Sequence, residues 1–318
     1  MKFATFRRAA ESTDAAPARY GVVFDGDVID LVEADRLRCE AGAKSLALPA
    51  MLKEAVALFH RDRRPVDELV AWLLENGADA GPARLPLNET RLLPPVLSPD
   101  KFICVGKNNR AHLEELKRNS LIKELPQEPT GFVKVASSLV GHDAEVARPE
   151  GIVQFDYEPE LVFVIGKPAY RVPKEEAMDY VFGLALLNDL TAREIQRREV
   201  ASGTRFWTAK NMPGFGPVGP FLVTLDEVAD PQDLWITCTV NGRERIRVNT
   251  GEQIYQIPDI IEHFSRHVQL FPGDMFSTGS PGGVAVGSSN PEELYLKPGD
   301  VVDVTMEGVM TLRTCIVG

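Results

Sequence analysis

Tyr157-Glu158-Pro159-Glu160-Leu161-Val162-Phe163-Val164-Ile165-Gly166 decides how this chain reads. The apolar, β-branched run that fills it reads as a buried strand. Two carboxylates stand at its mouth. On a strand, residues i and i+2 point to the same face, so Glu158 and Glu160 project together. Unpaired carboxylates side by side repel, and burying them is costly. A hard divalent cation bound by their oxygens is the simplest remedy. The stretch therefore proposes a metal site before anything else is read.

A third ligand follows downstream. Phe182-Gly183-Leu184-Ala185-Leu186-Leu187-Asn188-Asp189 is another apolar run ending in an acid. Thr191-Ala192-Arg193-Glu194 has the form of a capping box, with Thr191 as N-cap and Glu194 reaching back. Asp189 is thus expected at a strand end, just before a helix. Taken singly, each acid reads as a solvated turn residue. Together, at the ends of apolar strands, Glu158, Glu160 and Asp189 read as a ligand set. With no cysteine or histidine nearby, the set favours Mg²⁺ or Mn²⁺, with Ca²⁺ as a further candidate and zinc disfavoured.

The 318 residues suffice for one large domain or a large domain plus a small one. The composition, 44% hydrophobic and 25% charged, is that of an ordinary soluble globular enzyme. A net charge of −11 argues against nucleic-acid binding, which needs a basic footprint. Any anionic substrate must dock on local arginine or lysine. Cys39, Cys104, Cys238 and Cys315 are scattered without a CxxC pair, which suits reduced thiols in a cytoplasmic protein. The first residues lack the apolar core of a signal peptide, and no apolar run approaches a membrane span.

Residues 1 to 95 read as a small α+β module. Two short apolar runs meet at Asp25-Gly26, a hairpin signal. Helical patterns follow around Met51 to Phe59 and Val66 to Glu75. The proline-rich stretch from Arg84 to Pro95 is expected to be extended and is the best linker candidate. From residue 96 to 318 the pattern changes to many short strands with Gly and Pro turns, including a hairpin at Asn241-Gly242. Helices are expected from Glu175 to Tyr180, after Thr191, and from Ile257 to Gln269. Few long helices and many strands predict an α+β, sheet-dominated domain rather than a doubly wound one. The glycine-rich run from Thr278 to Gly287 lacks GxGxxG spacing, so it reads as a substrate loop or structural turn.

The order of motifs resembles the fumarylacetoacetate hydrolase (FAH) family, in its bacterial acylpyruvate and fumarylpyruvate hydrolase, hydratase, isomerase and decarboxylase branch. The matching pieces include Cys104-Val105-Gly106-Lys107-Asn108-Asn109-Arg110-Ala111-His112, Phe132-Val133-Lys134 and Asp156-Tyr157-Glu158-Pro159-Glu160-Leu161. Asn188 to Gln196, Lys210, Gly216 to Pro220, Val240-Asn241-Gly242, Leu270 to Asp274 and Thr278-Gly279-Ser280-Pro281 complete the order. The resemblance implies a mixed β-roll catalytic domain, a homodimer, and a cation held at Glu158, Glu160 and Asp189. It also implies substrate contacts at Arg193, Gln196, Lys134, Gly279 and Ser280, and a catalytic role for Lys210, which by itself reads as a surface residue. Arg193 and Gln196, three apart on an expected helix, share a face.

His112 and Glu115 form a His-x-x-Glu pair. On a helical turn Glu115 faces His112 and can orient it. By itself the pair reads as part of a charged surface helix. The resemblance makes it a water-activating dyad on a lid. Asn109, Met212-Pro213-Gly214, Gln253 and the length of Lys117 to Glu128 depart from the family pattern. They lie near the expected pocket or lid and bear on the substrate more than on the metal.

The reaction so implied is metal-dependent hydrolysis of a C–C bond in a diketo acid, through a metal-stabilised enolate. The alternatives are a lyase or isomerase on the same scaffold (a 2-oxo acid decarboxylase, hydratase or tautomerase), or a non-catalytic protein that binds metal and oxo acid.

Overall fold

The protein is described from a computed structural model, which covers residues 1–10, 17–118, 127–203 and 206–318. Its centre is the strand Pro159–Ile165, buried along its whole length. It pairs antiparallel with Val181–Asn188 on one side and with Met275–Ser277 on the other. These belong to a long mixed sheet. Beyond Met275–Ser277 lie Phe102–Gly106 and Thr130–Val133. Beyond Val181–Asn188 lie Gly216–Thr224 and then Lys2–Arg8, through Lys2↔Val223 and Phe3↔Leu222.

The N-terminal strands thus extend the central sheet. Arg19–Phe24 and Asp27–Asp30 turn at Asp25 and Gly26, both at positive φ, as a two-residue hairpin of this twist requires. Asn241 and Gly242 do the same between Trp235–Val240 and Arg243–Asn249. The stretch expected as a linker is extended but paired. Arg84–Pro86 lies beside Asp27–Asp30, and Thr90–Leu93 beside Lys2–Arg8.

Two cores explain the unbroken apolar run. On one face Leu161, Phe163 and Ile165 pack with Leu184 and Leu186 against a five-stranded sheet that contributes Ile236, Cys238, Val304 and Leu312. On the other, Val162, Val164, Ala185 and Leu187 meet Phe3 and the helices Leu52–Arg61 and Arg64–Asn76. A strand covered on both faces cannot alternate polar and apolar residues. The architecture is α+β and sheet-dominated, as expected.

Helices form at Arg193–Ala201 and Ile257–His267, while Lys174–Tyr180 is a 3₁₀ turn. The capping box does not form. Thr191 belongs to a short strand, and Ala192 is the N-cap of the helix. Glu194 instead accepts from the backbone of Val153 and Gln154, at 2.9 and 2.8 Å. Thr191 is drawn away because its hydroxyl donates to Asp189 O at 2.9 Å and accepts from Lys210 at 2.9 Å.

Candidate functional site

The strand pair sets the centre of the site. Pro159 stands opposite Asn188 and Glu160 opposite Leu187, so one further step of the register brings Glu158 opposite Asp189. Asp189 N donates to Glu158 O at 2.8 Å, and Glu158 N to Asn188 Oδ1 at 3.1 Å. Cross-strand partners share a face, and so do residues two apart. Glu158, Glu160 and Asp189 therefore converge, all buried, with one oxygen of each within 4.8 Å of the others. Among the described residues this is the one cluster of three metal-type ligands.

Three cations face the cluster. Lys210 comes from a 3₁₀ turn at Thr208–Lys210 and is buried, not on the surface. Its Nζ donates to Glu158 Oε2 at 2.5 Å and Asp189 Oδ2 at 2.6 Å. Lys134 Nζ lies 2.9 Å from Asp189 Oδ1, while its protons go to Lys210 O at 2.6 Å and Phe215 O at 3.1 Å. Arg193 has no exposed surface. Its Nε donates to Asp156 Oδ2 at 2.8 Å, its Nη1 to Gln196 Oε1 at 2.9 Å, and its Nη2 lies 2.6 Å from Glu158 Oε1. The shared face of Arg193 and Gln196 is turned into the protein, with both side chains buried.

These cations are unevenly spread. Burial pushes the Glu158 carboxyl up, but Lys210, then Arg193 and His112, outweigh it and hold it down at about 2. Burial, and then the charges of Asp189 and Glu158, push the Glu160 carboxyl well above its usual range. Glu160 Oε2 is buried with no hydrogen-bond partner among the described residues. An all-oxygen donor set with one uncompensated buried carboxylate fits a hard divalent cation.

His112 and Glu115 sit on the helix Arg110–Arg118, both buried. His112 Nδ1 is 3.3 Å from Glu115 Oε2. Glu115 Oε1 accepts from Gly283 N at 2.8 Å, and its carboxylate fills the space where a Cβ on Gly287 would stand, 2.3 Å from Cδ. Asn109 begins this helix, with Oδ1 accepting from His112 N at 3.3 Å. His112 is among the charges that lower the Glu158 carboxyl, and the turn whose Gly283 N–H grips Glu115 also donates to Asp156, two residues before Glu158.

Gly279 turns at φ 95°, and a Cβ there would lie 2.8 Å from Val105 O. Ser280 is buried, with Oγ 3.3 Å from Pro281 O. Gln253 Nε2 donates to Thr278 Oγ1 at 2.7 Å, which ties the Thr278–Pro281 segment to its neighbour. Of the longer stretch Lys117 to Glu128, residues 119–126 lie outside the described residues.

Sequence reading passed over Asp156. It is buried and holds Arg193. A signal was present, because Asp156, Glu158 and Glu160 recur with the period of a strand.

The sequence model of the Fumarylacetoacetate (FAA) hydrolase C-terminal family matches residues 101–317. An uncharacterized protein of Staphylococcus aureus is 38% identical over 243 residues, covering 76% of this chain and 77% of that protein. Among solved structures, a fumarylacetoacetate hydrolase from Exiguobacterium antarcticum is similar at 32% identity with a TM-score of 0.76, over 100% of this chain and 99% of that one. Maleylpyruvate hydrolase from Sphingobium sp. SYK-6, in complex with manganese(II) and pyruvate, is similar at 27% identity with a TM-score of 0.74, over the same shares of 100% and 99%. A 2-hydroxyhepta-2,4-diene-1,7-dioate isomerase from Mycobacterium marinum is similar at 32% identity with a TM-score of 0.61, over 74% of this chain and 80% of that one.

Proposed function

The chain belongs to the fumarylacetoacetate hydrolase family, and from that premise we propose that it is a divalent-metal-dependent hydrolase cleaving a C–C bond in a diketo acid. The substrate class is acylpyruvate, fumarylpyruvate or fumarylacetoacetate. The observation that carries this reading is the buried His112–Glu115 pair beside the carboxylate cluster. Isomerisation or decarboxylation has no need of a water-activating base, whereas hydrolysis does.

Glu158, Glu160 and Asp189 would hold the cation, Mg²⁺ or Mn²⁺ by the hardness of the donor set. Such a cation supplies Lewis-acid polarisation of a 2-oxo acid's oxygens. The manganese and pyruvate of the Sphingobium structure support that pairing. Glu115 accepts from Nδ1–H of His112 and leaves the Nε2 lone pair as base. His112 takes a proton from water, and the hydroxide adds to the distal carbonyl. The C–C bond then breaks. Its electron pair passes to the pyruvyl half as an enolate, the acyl half leaves as a carboxylic acid, and the His112 proton returns to the enolate carbon. Lys210, with Lys134 behind it, supplies positive charge to the substrate carboxylate. Arg193, Gln196, Gly279 and Ser280 would supply the remaining substrate contacts.

A second reading, isomerase or lyase chemistry on the same residues, is favoured by the similarity to the Mycobacterium marinum isomerase. The deciding experiment strips the protein with EDTA and restores Mg²⁺ or Mn²⁺. Acylpyruvates, fumarylpyruvate and oxaloacetate are then offered and the products weighed. Pyruvate plus a carboxylic acid supports the hydrolase. Carbon dioxide, a product of unchanged mass, or one heavier by a single water moves the protein to the second reading.

The remaining elements of the proposal are a homodimer in the cytoplasm and a chain of two parts, 1–95 and 96–318. No helix among the described residues is long and apolar enough to cross a membrane. The family match, at 101–317, lies within the second part.

A further inference from the structure

Asp156 takes no part in the steps above, yet its carboxylate is completely buried and carries four hydrogen bonds. Oδ1 accepts from Tyr157 N and Ala285 N, both at 2.9 Å. Oδ2 accepts from Val286 N at 3.0 Å and from Arg193 Nε at 2.8 Å. Both partners lead to the site. The guanidinium of Arg193 is planar and rigid, so fixing Nε fixes Nη2, which faces Glu158 Oε1 at 2.6 Å. The turn that holds Ala285 and Val286 also holds Gly283, whose N–H grips Glu115 Oε1, and Gly287, against which the Glu115 carboxylate lies.

We propose that Asp156 is a positioning residue that sets two parts of the site at once: Glu158 through Arg193, and the Glu115–His112 pair through the Gly283–Gly287 turn. Only the kinetic part of this proposal rests on the hydrolase reading. Asn cannot replace it. An amide keeps one acceptor oxygen and turns an NH₂ group toward backbone N–H donors or the guanidinium. In Asp156→Asn, Arg193 loses the carboxylate that fixes Nε, so its Nη2 is no longer held in place against Glu158, and the turn loosens behind Glu115.

The first test uses the wild-type protein and reads amide hydrogen exchange. Ala285 and Val286 lie in a short 3₁₀ turn and its N-terminal neighbourhood, where amides ordinarily exchange fast. Seated on Asp156, they are expected to exchange roughly a hundredfold more slowly than exposed turn amides. Exchange at the exposed-turn rate overturns the proposal without any variant. The second test titrates stripped Asp156→Asn with Mn²⁺ by calorimetry. Affinity is expected to fall about tenfold or more, the range seen when partners of metal ligands are changed. Turnover per folded molecule is expected to fall by a similar factor through kcat. A purely structural Asp156 lowers the melting temperature but leaves Mn²⁺ affinity and kcat where they were, and that result overturns the proposal. If the wild-type protein hydrolyses no diketo acid, the hydrolase reading fails by itself, while Mn²⁺ affinity and amide exchange still decide the role of Asp156.

Discussion

Asp189 stands directly across the strand pair from Glu158, and its backbone N–H reaches Glu158 O at 2.8 Å. The backbone bond and the side-chain convergence are one fact. A one-residue slip of the register would send Asp189 to the opposite face and dissolve the cluster. Glu158 and Asp189 then share the ammonium of Lys210, with Arg193 adding a second cation to Glu158 and Lys134 a second to Asp189, while Glu160 makes no ion pair among the described residues.

That imbalance gives the first prediction. Glu160 holds a buried carboxyl beside two others, and burial with the charges of Asp189 and Glu158 outweighs the help of Lys210. Glu160→Gln should raise the stability of the metal-stripped protein, by about 1–3 kcal/mol if the full penalty of an unpaired buried group is relieved. It should also erase the rise in melting temperature that Mn²⁺ gives the wild type, a rise worth about 2.7 kcal/mol at a hundredfold excess over Kd. Thermal melts with EDTA and with Mn²⁺ read both effects. A stripped variant less stable than the wild type would count against the charge imbalance.

Lys210→Met should act in the opposite sense. It leaves Glu158 and Asp189 buried and facing each other. Breaking such a buried pair costs roughly 3–5 kcal/mol. Excess Mn²⁺ should recover part of it, so the metal-induced rise in melting temperature should exceed that of the wild type. An EDTA melt indistinguishable from the wild type would remove Lys210 as the counter-charge.

Gly287→Ala separates the dyad from the metal. A Cβ at Gly287 would lie 2.3 Å from Glu115 Cδ, so the Glu115 side chain must move away from His112. An off-rotamer shift of this kind costs about 1 kcal/mol of stability. Turnover should fall by about 10²-fold or more, the contribution of a positioned base, with Mn²⁺ affinity within a factor of two. Steady-state rates and a Mn²⁺ titration on the same sample check this. Full activity would mean that Glu115 does not orient His112.

His60 predicts a pH dependence of stability remote from the site. Burial lowers its pKa below the ordinary 6.5, against the opposing effect of its Nε2 contact to Asp179 O at 3.0 Å. A histidine with a lowered folded value is bound in its neutral form. Its contribution is complete above the unfolded value near 6.5 and is lost as pH falls through the lower folded value. Melting temperature should decline from pH 7 toward pH 5, and the decline should be shallower in His60→Gln. Parallel curves for the two proteins would exclude His60 as the source.

The strands and the acids at their ends were legible because both rest on local pattern. Leu161 to Ile165 has one reading as a strand, and the period of two then places Glu158 beside Glu160. Lys210 was legible only through the family resemblance, because no local signal separates a lysine after Trp207 from a surface lysine. What buries it are Glu158 and Asp189, both distant in sequence. Thr191 misled for the same reason. Its spacing to Glu194 suited a cap, but the competing partners, Asp189 O and Lys210, came from the folded site.

The pairing of Lys2–Arg8 with Gly216–Thr224 also has a consequence for synthesis. During translation the first strand can pair early with Arg19–Phe24 and later with Thr90–Leu93. Its edge at Lys2 and Phe3 stays open until Leu222 and Val223 leave the ribosome, on the order of ten seconds or more at ordinary elongation rates. Nascent chains stalled before residue 216 would carry that open edge and should engage holdase chaperones or self-associate far more than chains that have passed residue 224.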